Sequence, residues 1–458
     1  MENSRRQILR HFEEQKSFVN SRLEANIEAV RKGFCSLHLT DSAGNPITDA
    51  HIRVKQKGHA FRYGANLFML DQLETPEKNA AYKEHFKNAF NMATVPFYWN
   101  GLEPERGKPR YAADSPFVYR RPAPDLCLDF CEANGIEPRE HALAYDRFFP
   151  EWMKGLSVRE CKFELERRFS EIAERYAHRI NTIEVTNEMR WAPGKEISRL
   201  YNEPDYVEFC FKLAEKYFPH NQLAINEAGR TWNNDTPNQR DYLLQISNAI
   251  AHGARIDAIG IQAHSFSRSF REMEEMFAVR YNPIELYRVM DTYARLNRPL
   301  QITEVTFPAF SHDTEDEAMQ ADILENMYRV WFSHPNVEQI IYWNLVDGYA
   351  HRAEPGDMTA GENYYYGGLI RFDMTPKPAY HRVKELFEKK WHTECDAPHT
   401  YDGNYQFKGF LGNYEAEIVQ NGKTITVPFK VVKDGKTITV PFKVEKALGG
   451  MCITEIIL

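Results

Sequence analysis

No stretch of this 458-residue sequence is apolar for long enough to cross a membrane. The first 33 residues, MENSRRQILRHFEEQKSFVNSRLEANIEAVRKG, also lack the apolar core of a secretory leader. The expectation is a soluble protein, cytoplasmic as the sequence stands, or secreted or bound to the cell envelope if a leader was removed. The seven cysteines, at 35, 127, 131, 161, 210, 395 and 452, are an odd number and carry no metal-ligand spacing. Cys127 and Cys131 sit four apart in DLCLDFCEANG, which reads as two buried thiols on one helix face rather than a disulfide or a zinc site. No glycine-rich loop follows an apolar run, so a phosphate- or nucleotide-using enzyme is disfavoured. Nor is there a basic stripe. The 65 acidic and 57 basic residues are interspersed and sum to −8. No nucleic acid or membrane partner is expected, and a neutral or basic substrate fits that charge at least as well.

What the sequence does have is a globular composition, 43% hydrophobic, sufficient for a substantial core. Its 29 Phe, 24 Tyr and 7 Trp hint at sugars or other flat ligands, although most such rings serve the core. Residues 2–32 read as a charged amphipathic helix. Two alternating strands then flank DSAGNP, the pattern of a β-hairpin or the edge of a small sandwich.

From about residue 61 the rhythm changes. Eight short apolar runs recur: FRYGANL (61–67), NMATVPF (91–97), IEPREHALA (136–144), TIEVTNE (182–188), QLAINE (222–227), AIGIQAH (258–264), LQITE (300–304) and QIIYWN (339–344). Helical patterns such as SVRECKFELERRFSEIAERYA and DEAMQADILENMYRVWFS fill the gaps. Eight strand–helix units predict an α/β fold, a (β/α)8 barrel whose functional residues stand at the C-terminal ends of its strands. A doubly wound open sheet is the alternative. The expected division is 1–59 for the helix and hairpin, 60–394 for the barrel and 395–458 for a β-rich accessory element. In that last part KTITVPFKV occurs twice, at 423–431 and 436–444, each copy after a hairpin dipeptide, Asn421-Gly422 or Asp434-Gly435. Pro428 and Pro441 mark edge strands or bulges.

The chemistry gathers at the ends of the runs. The fourth ends in Asn187 and Glu188, the seventh in Glu304, the sixth in Gln262 and His264, the third near His141 and the eighth at Trp343. In a barrel all of these share one mouth. A single strand-end glutamate has an ordinary explanation as an ion pair or helix cap. Two, with His, Asn and Gln between them, suit glycoside hydrolysis, in which one carboxyl protonates the leaving oxygen and the other attacks or activates water. Glu227, ending the fifth run, belongs either to this site or to its support. Arg190 and Trp191 either line the leaving-group side or pack their loop.

With these residues in place, the sequence resembles glycoside hydrolase family 10, the retaining endo-β-1,4-xylanases. TNEM and ITE resemble its acid/base and nucleophile motifs. WNGLEPERGKPRY (99–111), EHALAY (140–145), GIQAH, IYWNLVD and MTPKPAYHRV match further motifs in the family's order, over about residues 60–390. The resemblance implies Glu188 as general acid/base and Glu304 as nucleophile. It implies that Asn187 and His141 contact sugar hydroxyls, that His264 with Gln262 orients Glu304, and that Trp343 forms an apolar floor. It further implies a polysaccharide or oligosaccharide substrate and neither metal nor organic cofactor. The flanking positions depart from the family. Val95 and Tyr98 replace a polar Asn and Lys, Tyr145, expected with Gln262 among the substrate-binding residues, replaces a Trp, Asp146 a His, and His351 falls near a second Trp. The run Tyr364-Tyr365-Tyr366 either adds stacking surface or packs its loop. Three functions follow: a xylanase-like hydrolase, an exo-acting or oligosaccharide-specific β-glycosidase, and a silent barrel that only binds glycans.

Overall fold

The computed structural model describes residues 5, 7–41, 45–190, 196–232, 236–400, 404–431 and 451–457. Its strands are β1 (Lys32–Asp41), β2 (His51–His59), β3 (Arg62–Asn66), β4 (Met92–Pro96), β5 (Glu137–His141), β6 (Thr182–Asn187), β7 (Gln222–Glu227) and β8 (Ala258–His264). Then come β9 (Leu300–Thr306), β10 (Val337–Tyr342), β11 (Glu394–Asp396), β12 (Asn404–Phe410), β13 (Gly412–Gln420), β14 (Lys423–Val431) and β15 (Met451–Ile457). Two compact units result. One comprises Met1–Lys16, Tyr63–Trp331 and Asn336–His381, the other Ser17–Arg62, Phe332–Pro335 and Arg382–Leu458.

In the first unit, strands β3 to β10 close a barrel in the order β10-β3-β4-β5-β6-β7-β8-β9, joined by parallel pairings. All eight apolar runs are barrel strands, and the open-sheet alternative falls. Helices follow the strands, among them Pro76–Ala89, Pro124–Ala133, Val158–Tyr176, Tyr206–Tyr217, Thr236–Ala251, Pro283–Ala294 and Thr314–Ser333. Local chemistry sets where several of them start. Ser157 and Glu160 form a capping box, and Thr75 and Asn282 cap helices whose first residue is proline.

The strands are buried on both faces, yet many carry polar residues. In β6, Thr182, Glu184 and Thr186 alternate with Ile183 and Val185, and all five are buried. The polar set points into the barrel, where it bonds across strands: Thr182 Oγ1 lies 2.9 Å from Gln222 Oε1, and Gln301 Nε2 reaches both Gln222 and Glu338. Cross-strand hydrogen bonds of this kind run through a partly polar barrel interior.

The second unit is a β-sandwich. A three-stranded sheet, β12-β1-β15, and a four-stranded sheet, β11-β2-β13-β14, enclose a core that includes Leu37, Leu39, Ile52, Val54, Ile418, Val427 and Phe429. The expected hairpin of β1 and β2 does not form; each strand joins a different sheet and pairs antiparallel with C-terminal strands. Each has one alternating apolar face, and opposing those faces across a sandwich buries both. The helix expected over 2–32 is also interrupted. Helical turns occupy Arg10–Glu14, Lys16–Phe18 and Glu24–Val30, with a wider turn at Val19–Leu23, and β1 already begins at Lys32. The first KTITVPFKV copy is β14, an edge strand among the described residues, hairpinned to β13 through Asn421 (φ 51°) and Gly422 (φ 75°). The second copy, with Asp434-Gly435 and Pro441, lies outside the described residues. Cys127 and Cys131 are buried free thiols, and no described helix is long and apolar enough to cross a membrane.

The closure between β3 and β4 depends on a glycine. Gly64 pairs with Met92, and a Cβ on it would fall 2.0 Å from the Met92 carbonyl oxygen. Gly64→Ala is expected to cost about 2 kcal/mol or more, seen as a lowered thermal midpoint; an unchanged midpoint would contradict this close approach.

Candidate active site

Two strand irregularities aim the glutamates. On β9, Ile302 pairs with Ile261 but Val305 with Ala263, so β9 carries one residue more than β8 there. The extra residue lets Thr303 and Glu304, adjacent in the chain, both reach the interior. On β6, Glu184 pairs with Ala224 and Thr186 with Ile225, a second extra residue just before Asn187 and Glu188. Glu188 itself takes a left-handed backbone conformation (φ 49°) as the chain leaves the sheet.

Below the mouth lies a fully buried ion network. Glu184 accepts from Arg139 Nη2 at 2.8 Å and meets His141 Nδ1 at 2.7 Å. Asn226 Nδ2 bridges upward, 3.2 Å from Glu184 Oε1 and 3.2 Å from Glu304 Oε1, while Thr303 Oγ1 donates to its oxygen at 2.6 Å. Glu304 is therefore surrounded by N–H donors. Gln262 Nε2 stands 2.9 Å from Oε1, and His264 Nε2 stands 3.1 Å from Oε2. His264 is placed in turn by Thr306 Oγ1 at 2.9 Å from its Nδ1. Gln262 Nε2 also lies 3.0 Å from Glu188 Oε1 and 3.3 Å from Asn187 Oδ1. One nitrogen within reach of both carboxylates puts their oxygens less than about 6 Å apart. The second oxygen of Glu188 accepts from the Tyr145 hydroxyl.

The environment separates these acids. Burial works against the charge on Glu184, but His141 and Arg139 outweigh it and hold its carboxyl below the usual range. His141 is buried too, and Glu184 nevertheless raises it. Burial pushes Glu304 up to about 8; His141 opposes that shift, and Glu188 and Glu184 add to it. Burial likewise lowers His264 to about 4, so its ring is neutral near pH 7. Glu304 is the deeper carboxyl, with 4% of its surface exposed, whereas Glu188 stands half-buried at the mouth.

A pocket of about 400 Å³ opens over this cluster. Asn187, Glu188, Gln262, His264, Glu304, Trp343 and Tyr145 all line it. His141 sits just beneath, its Nε2 4.0 Å from Glu304 Oε1 and 2.8 Å from the Tyr98 hydroxyl. Tyr98, Phe68 and Phe148 add an aromatic wall, and His351 also faces in. Val95 is buried away from the pocket. Asp146 is a latch rather than a pocket residue, accepting from the backbone of Ile197 and Ser198 and from the Ser198 hydroxyl. Glu227 is buried outside the pocket lining; it is pushed up to about 8 by burial, and its Oε2 has no hydrogen-bond partner among the described residues. Arg190 pairs with Asp241 at 2.7 Å, and Trp191 lies outside the described residues. Of the tyrosine run, Tyr365 stacks on the pocket residue Phe266 at 4.8 Å, and none of the three lines the pocket. Sequence reasoning passed over Glu184 and Asn226. Both sit inside apolar runs, where a buried charge or amide must be partnered. The same argument that drew attention to Glu188 reaches them.

The family model of glycosyl hydrolase family 10 matches residues 57–386. The chain belongs to this family. Among curated relatives, anti-sigma-I factor RsgI6 of Acetivibrio thermocellus is 24% identical over 402 residues, covering 87% of this chain and 46% of that protein. Endo-1,4-beta-xylanase 2 of Arabidopsis thaliana is 22% identical over 416 residues, covering 90% and 34%. The chain thus spans less than half the length of each. The crystal structure of xylanase 10B from Thermotoga petrophila RKU-1 in complex with xylobiose superposes with a TM-score of 0.58 at 21% identity, over 72% of this chain and 95% of that one. That likeness shows a shared barrel fold. Membership in the family makes the pocket over Glu188 and Glu304 its candidate active site.

The shifted carboxyl has a measurable consequence. With a folded value of about 8 against an ordinary 4.5, Glu304 binds more protons folded than unfolded between those pH values. Stability conferred by its protonated form is therefore lost as pH rises through that window. Glu304→Gln removes this dependence. The variant is expected to melt higher than the parent at pH 8, with the gap closing toward pH 4.5; a gap independent of pH would count against the shift.

Proposed function

We propose that the chain cleaves β-1,4-linked xylan or a related plant polysaccharide by double displacement, with retention at the anomeric carbon. The observation that carries this reading is Gln262 Nε2, within 3.0 Å of one glutamate and 2.9 Å of the other. A separation below about 6 Å suits direct attack by one carboxylate, whereas inversion needs about 6.5–9.5 Å to admit a water.

In this reading Glu304 attacks the anomeric carbon while Glu188 protonates the leaving oxygen; Glu188 then takes a proton from the incoming water. The reactive form has Glu304 ionised and the proton on Glu188. Amide donors from Gln262 and Asn226 to Glu304 favour that form. Once Glu304 is glycosylated its charge is gone and Glu188 is free to act as base. Asn187 and His141 serve as hydroxyl contacts, and Trp343, with its ring centroid 5.5 Å from that of His141, supplies an apolar floor. The xylanase relative and the xylobiose-bound neighbour support the choice of glycan.

The test is reducing-sugar release from plain xylan, arabinoxylan, glucuronoxylan, mixed-linkage glucan and carboxymethylcellulose, with NMR of the first-formed anomer. Release from a xylan with the β-anomer appearing first is expected. Glu188→Gln should lose about 10²–10⁴-fold in kcat, and Glu304→Gln at least as much. Release of the α-anomer first would refute retention. Silence on every polymer would shift the reading to short oligosaccharides or to a glycan-binding barrel.

A further inference from the structure

One wall of the pocket is basic, and nothing in the hydrolysis of a neutral sugar calls for that. Arg120 and Arg121 line it, 3% and 8% exposed. Neither guanidinium has a carboxylate within ion-pair distance among the described residues. Arg121 donates from Nη1 to the Arg120 carbonyl at 2.8 Å, and its Nε and Nη2 take no acceptor among the described residues. The rest of its surroundings is aromatic, with its Cζ 4.0 Å from the Tyr98 ring centroid, 5.4 Å from Phe68 and 5.5 Å from Phe148. Arg120 donates to the Tyr349 carbonyl and, at 2.8 Å, to Asn344 Oδ1, while its buried Nε has no partner among the described residues. His351 completes the corner, its ring centroid 5.4 Å from that of Phe148. Burial and then the charges of Arg121, Arg120, Arg352 and Arg147 push it down to about 4.

A cation held in low dielectric without an anion is costly, and the cost is recovered when a ligand supplies the anion. The free Nε/Nη2 edge of Arg121 is the fork that matches a carboxylate with two parallel N–H donors. The corner is also close to the chemistry. Arg121 packs on Tyr98, whose hydroxyl is 2.8 Å from His141, and His141 is 4.0 Å from Glu304. We propose that Arg121, with Arg120 beside it, forms a subsite for a sugar carboxylate, so that the preferred glycan carries a uronic acid next to the sugar held over Glu304. This inference rests on the glycosidase reading and narrows its substrate to an acidic one.

The test changes the substrate rather than the protein. Rates on 4-O-methylglucuronoxylan are compared with rates on the same polymer after carboxyl reduction, which keeps the branch and removes its charge. Aryl β-glucuronide serves as a second arm, to distinguish a uronic acid in the reacting position from one carried as a branch. The expected result is a kcat/KM about tenfold or more in favour of the acidic substrate, carried mainly in KM and weakening as salt is raised. Arg121→Met should bring the ratio near one, and Arg121→Lys should keep part of it. Equal rates on native and reduced polymer, with no turnover of the glucuronide, would overturn the proposal, as would a preference that survives Arg121→Met. Should Arg121→Met fail to fold, the substrate comparison in the unaltered protein decides alone. If no substrate is cleaved, the hydrolase reading fails on its own account. Calorimetric binding of a glucuronic-acid-bearing xylo-oligosaccharide against its carboxyl-reduced twin then settles the subsite. Tighter binding of the acid supports it and equal binding overturns it.

Discussion

Glu184 is a carboxylate sealed inside the barrel, and the site above it depends on how its charge is held. Arg139 and His141 neutralise it from β5, and Asn226 from β7 adds an amide donor. Removing any one partner would leave a charge in low dielectric, at a cost of several kcal/mol. The same partners then act upward. His141 presents its other nitrogen to Tyr98 and stands near Glu304, and Asn226 ties Glu184 to Glu304 through one amide group. Three strands are thus locked in register from beneath the mouth. Glu304 inherits its position from this buried network, as linked hydrogen bonds hold one arrangement better than separate contacts would.

The electrostatics change along the axis of this cluster. At the bottom, Arg139 and His141 keep Glu184 ionised; at the top, burial and the neighbouring carboxylates resist ionisation of Glu304. Two carboxyls within about 6 Å cannot both carry full charge cheaply, and the charge of Glu188 adds to the upward shift of Glu304. Gln262 touches both of these carboxyls. A chain of net charge −8 nonetheless presents a basic corner at this mouth. Overall charge therefore says little about the local field a ligand meets.

Family membership accounts for the barrel, and several positions singled out in the sequence as substitutions stand at the pocket wall. Tyr98, named from the sequence only as a substitution, became a hydrogen-bonding partner of His141 and the platform on which Arg121 lies. Tyr145, also read as a substitution, places its hydroxyl on Glu188. Asp146 left the pocket to latch the backbone at 197–198. Aromatic rings and a guanidinium share one packed wall here.

The order of eight apolar runs, each with its polar ends, determined the barrel before any contact was known, because a strand buried on both faces reads the same wherever it packs. The candidate residues Glu188, Glu304, Asn187, Gln262, His264 and Trp343 were legible for the related reason that strand ends in a barrel converge on one mouth. Other features depended on tertiary structure. The alternating pattern of β1 and β2 is equally satisfied by a hairpin and by two sheets of a sandwich, and only the C-terminal strands chose between them. The extra residues in β6 and β9 leave no mark in hydrophobic pattern, since they are defined by a partner strand. Arg120 and Arg121 lie in an irregular loop whose course no periodicity encodes. Whether an arginine there meets a carboxylate, water or a ring was decided by what the fold brought beside it, because pairing and desolvation are properties of neighbours in space rather than in sequence.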